Sequence, residues 1–424
     1  MVPLPGRIRH AAARRSHRAR NAIALAVGGV LALTGAGVAA AYVHLDSNVK
    51  VADALTLAGP APTPTPAATP TPTPTPVDPQ AGKPVNLLLI GSDERYGANG
   101  AIGGDKSLGS MRSDTTIVVH VSADRSRAEL VSIPRDSMVH IPSCTMTNGR
   151  TTRARFDMFN SAFATGWDTG GDITSAAACT IKTVQSLTGL TIDHFVVVDF
   201  VGFQAMVDAI GGVPICIPEN YDSKNAKLHV TAGYQTLDGP TALAYARARE
   251  GTNMNGSDLQ RAARQQQLVA AMIHQVLSRN VLTSVPALMG FLNAATSSLT
   301  VDPGLGHLTD MAGMALSLRG LDPSHITFMT IPVADWPPNH NRVEWTSAAT
   351  KIWANMVADQ PIVSSEEPAS TSPSGSATGS STGSPSGSPS GSATAPAKIP
   401  TPTPPANYHP GDPFNAAATP AVCG

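Results

Sequence analysis

Two tracts that cannot pack bracket the only stretch of this chain able to bury a core. From Ala58 to Pro79 the sequence is a run of Thr-Pro repeats, and from about Asp359 to Pro405 it collapses into Ser, Gly, Pro and Thr. The first composition favours extended polyproline II and acts as a semi-rigid spacer. The second is too poor in apolar residues to offset chain entropy by burial and is expected to be disordered through residues 360–424. One folded unit, residues 84–359, is therefore expected. Only 14% of the residues are charged, 29 Lys+Arg stand against 30 Asp+Glu, and the sequence pI is near 6.9. That balance excludes the broadly basic footprint that gives most nucleic-acid binders their affinity, so any anion site must be local.

Residues 1–21 carry Arg7, Arg9, Arg14, Arg15, Arg18 and Arg20 without an acid, and residues 22–43 are uncharged. An uncharged run of roughly 20 residues is long enough to cross a bilayer, with the arginines on the cytoplasmic side. An uncleaved anchor is expected, with residues 44–83 as a stalk and the folded unit outside the cell membrane. A cleavable signal peptide ending near Val38-Ala39-Ala40-Ala41 is the competing reading. In an exported protein the four cysteines favour disulfides. Of three possible pairings, Cys144–Cys179 with Cys216–Cys423 is the expected one, and a free or intermolecular Cys423 is the alternative.

Inside the unit, short β-branched runs alternate with helical patterns. Strands are expected at Val85–Ile90, Thr115–Val121, Ala128–Ile133 and His194–Phe200. Helices are expected at Ser175–Leu187, Val201–Ile210, Pro240–Ala246, Ser257–Arg279 and Ser347–Ala358, the fourth with Ser257 and Gln260 in capping-box spacing. The class is α/β, a mixed sheet with helices on both faces.

Five segments carry chemistry. Gly91-Ser92-Asp93-Glu94-Arg95 follows the first strand, at the carboxyl end where α/β sheets bind ligands. Arg112-Ser113-Asp114 precedes the second strand, and Pro134-Arg135-Asp136 leaves the third. Arg247 and Arg249 are two apart, which places both on one side only if the backbone is extended there. Arg261, Arg264 and Gln265 fall at i, i+3 and i+4 on one helix face. Singly these read as turn residues, surface ion pairs or a solvated stripe. Together they supply acids able to hold a divalent cation and guanidiniums whose planar forks suit phosphate oxygens, the composition of a pyrophosphate clamp. No Gly-x-Ser-x-Gly motif is present, so positioning and electrostatics are expected to carry the chemistry.

Asn86–Arg95 (NLLLIGSDER), Arg112–Thr116 (RSDTT), Val131–Asp136 (VSIPRD), Asp193–Gly212 (DHFVVVDFVGFQAMVDAIGG), Leu237–Arg249 (LDGPTALAYARAR), Asp258–Gln266 (DLQRAARQQ) and Asn341–Trp345 (NRVEW) resemble the LytR-CpsA-Psr family, in an actinobacterial form. The resemblance implies a single-pass type II membrane protein with an α/β/α sandwich and a hydrophobic tunnel for a polyprenyl chain. It implies transfer of a glycopolymer from a polyprenyl-pyrophosphate carrier to peptidoglycan. By the same resemblance Asp93 and Asp114 match acids that hold magnesium, with manganese as its substitute. Arg112, Arg135, Arg247, Arg249, Arg261 and Gln265 match residues that contact the pyrophosphate, Arg95 matches the opening motif, and Asp93, Asp114 and Arg135 form the catalytic set. A lipid-pyrophosphate binding or hydrolysing protein would need the same clamp. A transcriptional regulator is disfavoured, because an outward-facing domain does not reach DNA.

Overall fold

The computed structural model describes residues 39–61, 78, 80–93, 97–103, 111–277, 284–363 and 412–415. The expected cytoplasmic segment and most of the expected membrane span lie outside the described residues, as do Arg95 and Cys423. No helix among the described residues is long and apolar enough to cross a membrane.

Among the described residues a mixed sheet contains β1 (Lys50–Val51), β2 (Val85–Ser92), β3 (Ser113–Val121), β4 (Ala128–Ser132), β5 (His194–Val198), β6 (Leu299–Val301), β7 (Ile326–Thr330) and β8 (Phe414–Asn415). Their spatial order is β1-β6-β5-β2-β3-β4-β7-β8. Strand β2 runs parallel to β5 and antiparallel to β3, which is antiparallel to β4, and β4 is parallel to β7. The carboxyl ends of β2, β4, β5 and β7 and the amino end of β3 therefore share one edge of the sheet.

The strands are apolar on both faces because both faces are covered. Leu88, Ile90, Val118, Val131 and Met329 face one core, with Ala177 and Ile181 of α2 (Ile173–Thr188) and Ile352 and Trp353 of α8 (Ser347–Val357). Their immediate neighbours Ile117, Leu130 and Phe328 face the other, with Ala270 of α5 (Asp258–Leu277) and Met314 of α7 (Leu308–Ser317). This one-residue alternation is the period of two that a pleated strand imposes. A third cluster packs α3 (Phe200–Ala209) and α4 (Gly239–Arg247) against the hairpin Val213–Ile217/Gly233–Leu237. Helix α1 (Ser161–Gly170) lies so close to α2 that a Cβ on Gly166 would sit 2.3 Å from the carbonyl oxygen of Ser175. Helix α6 (Val285–Ser298) precedes β6.

The core helices and strands lie where the sequence places them, with informative differences. The strand expected to run to Phe200 stops at Val198, because Asp199 caps α3 by accepting from the N–H of Gly202 at 2.7 Å. The expected capping box does not form. Ser257 accepts from the N–H of Leu259, while Gln260 turns away, accepting from the N–H of Asn255 and donating to Asn253. The folded unit also starts before residue 84: Ala54 and Ala58 of a short helix are buried in the first core, and Gln185 donates to the carbonyl of Gly59. Nor is the tail wholly without structure. Phe414 stacks on Phe328 at 5.1 Å, and β8 closes the sheet edge beside β7. A single aromatic in a polar stretch suffices, since it covers apolar surface that the edge strand would otherwise expose.

Cys144 and Cys179 are disulfide-bonded across a sequence separation of 35, tying the segment before α1 to the middle of α2. Cys216 is also disulfide-bonded; its expected partner Cys423 lies outside the described residues. Closing a loop of that length restricts the unfolded chain, so replacing both Cys144 and Cys179 by Ala should lower stability by about 3–4 kcal/mol in urea denaturation. An unchanged midpoint would show that the crosslink constrains nothing.

Candidate active site

The site grows from the shared edge of the sheet. Between β2 and β3 the register pairs Gly91 with Thr115 and Ser92 with Ser113, so Asp114 is an extra residue in a β-bulge. A bulge bends its strand and re-aims the side chain it carries. Asp93, just past β2, is 4% exposed and accepts from the backbone N–H of Arg112 at 2.5 Å. Arg135 follows β4 through Pro134, whose ring fixes the chain's direction as it leaves the sheet. Its Nη1 donates to Asp114 Oδ1 at 2.5 Å, and its backbone N–H donates to Asp258 Oδ2 at 3.1 Å.

Helix α5 supplies the opposite wall. Asp258 is its first residue, Arg261 lies one turn on, and Gln265 one turn further. Arg261 pairs with Asp258 and donates to the carbonyl oxygen of Asp114 at 3.1 Å. Asp114, Arg135, Asp258, Arg261 and Gln265 line one cleft. Beside it Asp136 is a hub: Arg135 Nε is 3.6 Å from its carboxylate, Arg249 Nη2 is 3.5 Å and Arg342 Nη1 is 3.8 Å.

Charge explains the arrangement. Burial acts to raise the pKa of Asp114, but Arg261 and Arg135 outweigh it and hold the carboxyl below the usual range. Burial pushes Asp258 up, against the pull of Arg261. Burial also lowers Arg249, and the neighbouring Arg135 and Arg261 lower it further. The guanidiniums of Arg135, Arg249, Arg261 and Arg342 thus share the carboxylates of Asp114, Asp136 and Asp258, leaving positive charge in excess. The Nε–H groups of Arg135, Arg249 and Arg261 are buried and donate no hydrogen bond. Arg135 Nε instead lies 3.6 Å from Asp136 and 3.7 Å from Asp258, so its charge is compensated at ion-pair distance without a hydrogen bond.

The expected residues do not all converge. Asp114, Arg135, Arg261 and Gln265 meet in the cleft, and Arg249 joins them through Asp136. Helix α4 extends through Arg247, and only Ala248 turns extended, so the two arginines take different neighbours, although Arg247 also helps hold the Asp114 carboxyl down. Arg247 consequently reaches the carbonyl of Ile102 at 3.2 Å and lies 4.4 Å over the ring of Phe200, whereas Arg249 donates to Gly256. The side chain of Arg112 is exposed, and it is its backbone N–H that meets Asp93. Arg264 leaves the expected stripe and is buried, donating to the carbonyls of Tyr245 and Ala248. Gln265, one residue on, keeps its place and donates to Ala246 at 3.0 Å.

Asp136, Asp258 and Arg342 were quoted in the sequence motifs without a role. The alternation of acid and arginine at Arg135-Asp136 and at Asp258/Arg261 is the signal that marks the first two. Arg342 is 206 residues from Asp136, and no local pattern links them.

Among the described residues no group of three His, Cys, Asp or Glu could hold a metal ion. Asp93 and Asp114 offer hard oxygens of the type magnesium or manganese takes. Two carboxylates fit such an ion only when substrate oxygens and water complete its shell, which is the usual way magnesium is held.

The sequence profile of the LytR_cpsA_psr family matches residues 61–357. The chain is 32% identical over 263 residues to cell wall biosynthesis protein LcpA of Corynebacterium glutamicum, covering 58% of this chain and 50% of that protein. It is 31% identical over 236 residues to polyisoprenyl-teichoic acid--peptidoglycan teichoic acid transferase TagU of Oceanobacillus iheyensis, covering 54% of this chain and 63% of that one. The matched part thus spans 50% and 63% of the lengths of these curated relatives. Among solved structures, protein gbs0355 from Streptococcus agalactiae shares the fold, with a TM-score of 0.50 at 21% identity over 65% of this chain and 88% of that one. With the profile spanning β2 to β7, the cleft and α5, the chain belongs to the LytR-CpsA-Psr family.

Proposed function

We propose that this protein is a magnesium-dependent phosphotransferase that moves a glycopolymer from a polyprenyl-pyrophosphate carrier to peptidoglycan. In this reading residues 22–43 anchor it in the cell membrane with the folded unit outside. The observation that carries the reading is the meeting of Asp114, Arg135 and Arg261, from a bulged strand, a strand exit and a distant helix, around one cleft with excess positive charge. The two relatives support it, since one is a cell wall biosynthesis protein and the other a teichoic acid transferase acting on peptidoglycan.

The chemistry follows from the charges. Arg135, Arg249 and Arg261 bind the phosphate oxygens, each held in place by Asp136 or Asp258, so little reorganisation is needed when the substrate arrives. Arg247 meets the pyrophosphate from the α4 side. An acceptor hydroxyl oxygen attacks the sugar-linked phosphorus and gives up its proton to solvent. A new O–P bond forms as the anhydride bond breaks, and polyprenyl phosphate leaves with the bonding pair. Asp93 and Asp114 would hold the magnesium ion, which when bound neutralises charge on the pyrophosphate oxygens.

Asp114→Asn should lower transfer of labelled lipid-linked glycan to peptidoglycan oligomers by about 10²- to 10³-fold while the thermal midpoint stays near wild type. Unaltered transfer would remove Asp114 from the site, and equal consumption of donor without acceptor would identify a hydrolase instead. Arg247→Ala should weaken binding of a polyprenyl pyrophosphate by about 1.5–3 kcal/mol. Calorimetric titration checks this, and an unchanged affinity takes Arg247 out of the clamp.

A further inference from the structure

A cluster of aromatic rings lies on the surface beside the arginine network and has no part in the core. The strands Met138–Ile141 and Arg155–Met158 form an antiparallel pair that starts two residues after Asp136, and its register places His140 opposite Phe156. Their rings are 5.0 Å apart, and the ring of Trp336 is 6.2 Å from Phe156 on the other side. Phe156 is 47% exposed, His140 is exposed and Trp336 is half-buried. By contrast Tyr221–Tyr245, Phe328–Phe414 and Trp345–Trp353 each place at least one ring in the core. Single exposed apolar residues need no explanation, but rings gathered in contact at the surface do.

The cluster is coupled to the cleft through backbone. Trp336 and Arg342 close one turn, in which the N–H of Trp336 donates to the carbonyl of Arg342 at 2.9 Å. Arg342 is one of the guanidiniums on Asp136, and the N–H of Val343 donates to the Asp136 carbonyl at 3.3 Å. The platform and the clamp are therefore built on the same two hairpins. The turn also carries exposed Asn339 and His340, and an Arg155–Asp157 ion pair at 3.1 Å flanks Phe156. Exposed aromatic faces, tilted by 57° and 49° from one ring to the next and flanked by polar side chains, suit a ligand with apolar C–H faces and hydroxyl edges, that is, a sugar ring.

We propose that Phe156, His140 and Trp336 form a stacking platform for the glycan strand of the peptidoglycan acceptor. This rests on the transferase reading above and names where its acceptor sits. The donor is held by its pyrophosphate in the arginine cleft, whereas the acceptor glycan carries no pyrophosphate and presents ring faces and hydroxyl edges instead. The platform is open and shallow, as a long polymer arriving from solvent requires.

The test uses the full chain in detergent with soluble oligomers of the peptidoglycan glycan strand as probe. Phe156→Ala and Phe156→Leu should each weaken oligomer binding about fivefold to tenfold, and Phe156→Tyr should retain it. In the transfer assay KM for the acceptor should rise to match, with kcat and polyprenyl-pyrophosphate affinity held. Unchanged oligomer affinity in Phe156→Ala, or no oligomer binding by the wild-type chain, overturns the platform even if transfer is confirmed. A loss confined to donor affinity, or to binding of phosphatidylglycerol vesicles, overturns it too, assigning the rings to the donor or to the membrane. Oligomer binding that depends on Phe156 in a chain that transfers nothing would keep the platform and sink the transferase.

Discussion

Carboxylates interleaved with partly buried arginines are the constraint on which the rest of this structure depends. Arg135, Arg249, Arg261 and Arg342 would repel one another and resist burial if they stood alone, and Asp114, Asp136 and Asp258 remove that objection. The acids therefore serve folding and function by the same contacts. They hold the guanidiniums at fixed positions before any ligand is present, and a polyvalent anion then enters a field already oriented toward it.

The backbone makes this possible at three places. The bulge at Asp114 turns a carboxylate out of the pleat toward Arg135. The start of α5 puts Asp258 where it receives the backbone N–H of Arg135, so a helix and a strand exit are pinned together by one side chain. The turn from Trp336 to Arg342 then brings a late segment of the chain onto Asp136. Helix α5 divides its residues by face. Arg261 and Gln265 line the cleft, while Arg264 and Gln266 are buried against α4 and against Ser132 and Thr330.

Much of this was legible from sequence because the relevant signals are local. Strand β2 is an apolar run followed at once by Asp93, and α5 carries its stripe at helical spacing, so both the elements and their polar termini could be placed. The readings that failed depended on neighbours. The spacing of Arg247 and Arg249 could not reveal that α4 holds one residue longer, which sends their guanidiniums to different partners. Gln260 had the right spacing for a capping box, but Asn253 and Asn255 lay within reach and took it. Arg264 has the same chemistry as Arg261, and only the packing of α4 against α5 decides that it is structural.

By itself the sequence determined the α/β class and the identity of the acids and arginines available for anion chemistry. Burial periodicity and composition are properties of consecutive residues, and they need no knowledge of the fold. Which of those charged groups meet, that Asp136 gathers three arginines, and that Phe156 and Trp336 share a surface were decided only by tertiary structure. Those contacts join residues up to 206 positions apart, and their energies depend on distance and burial, which the folded chain alone sets.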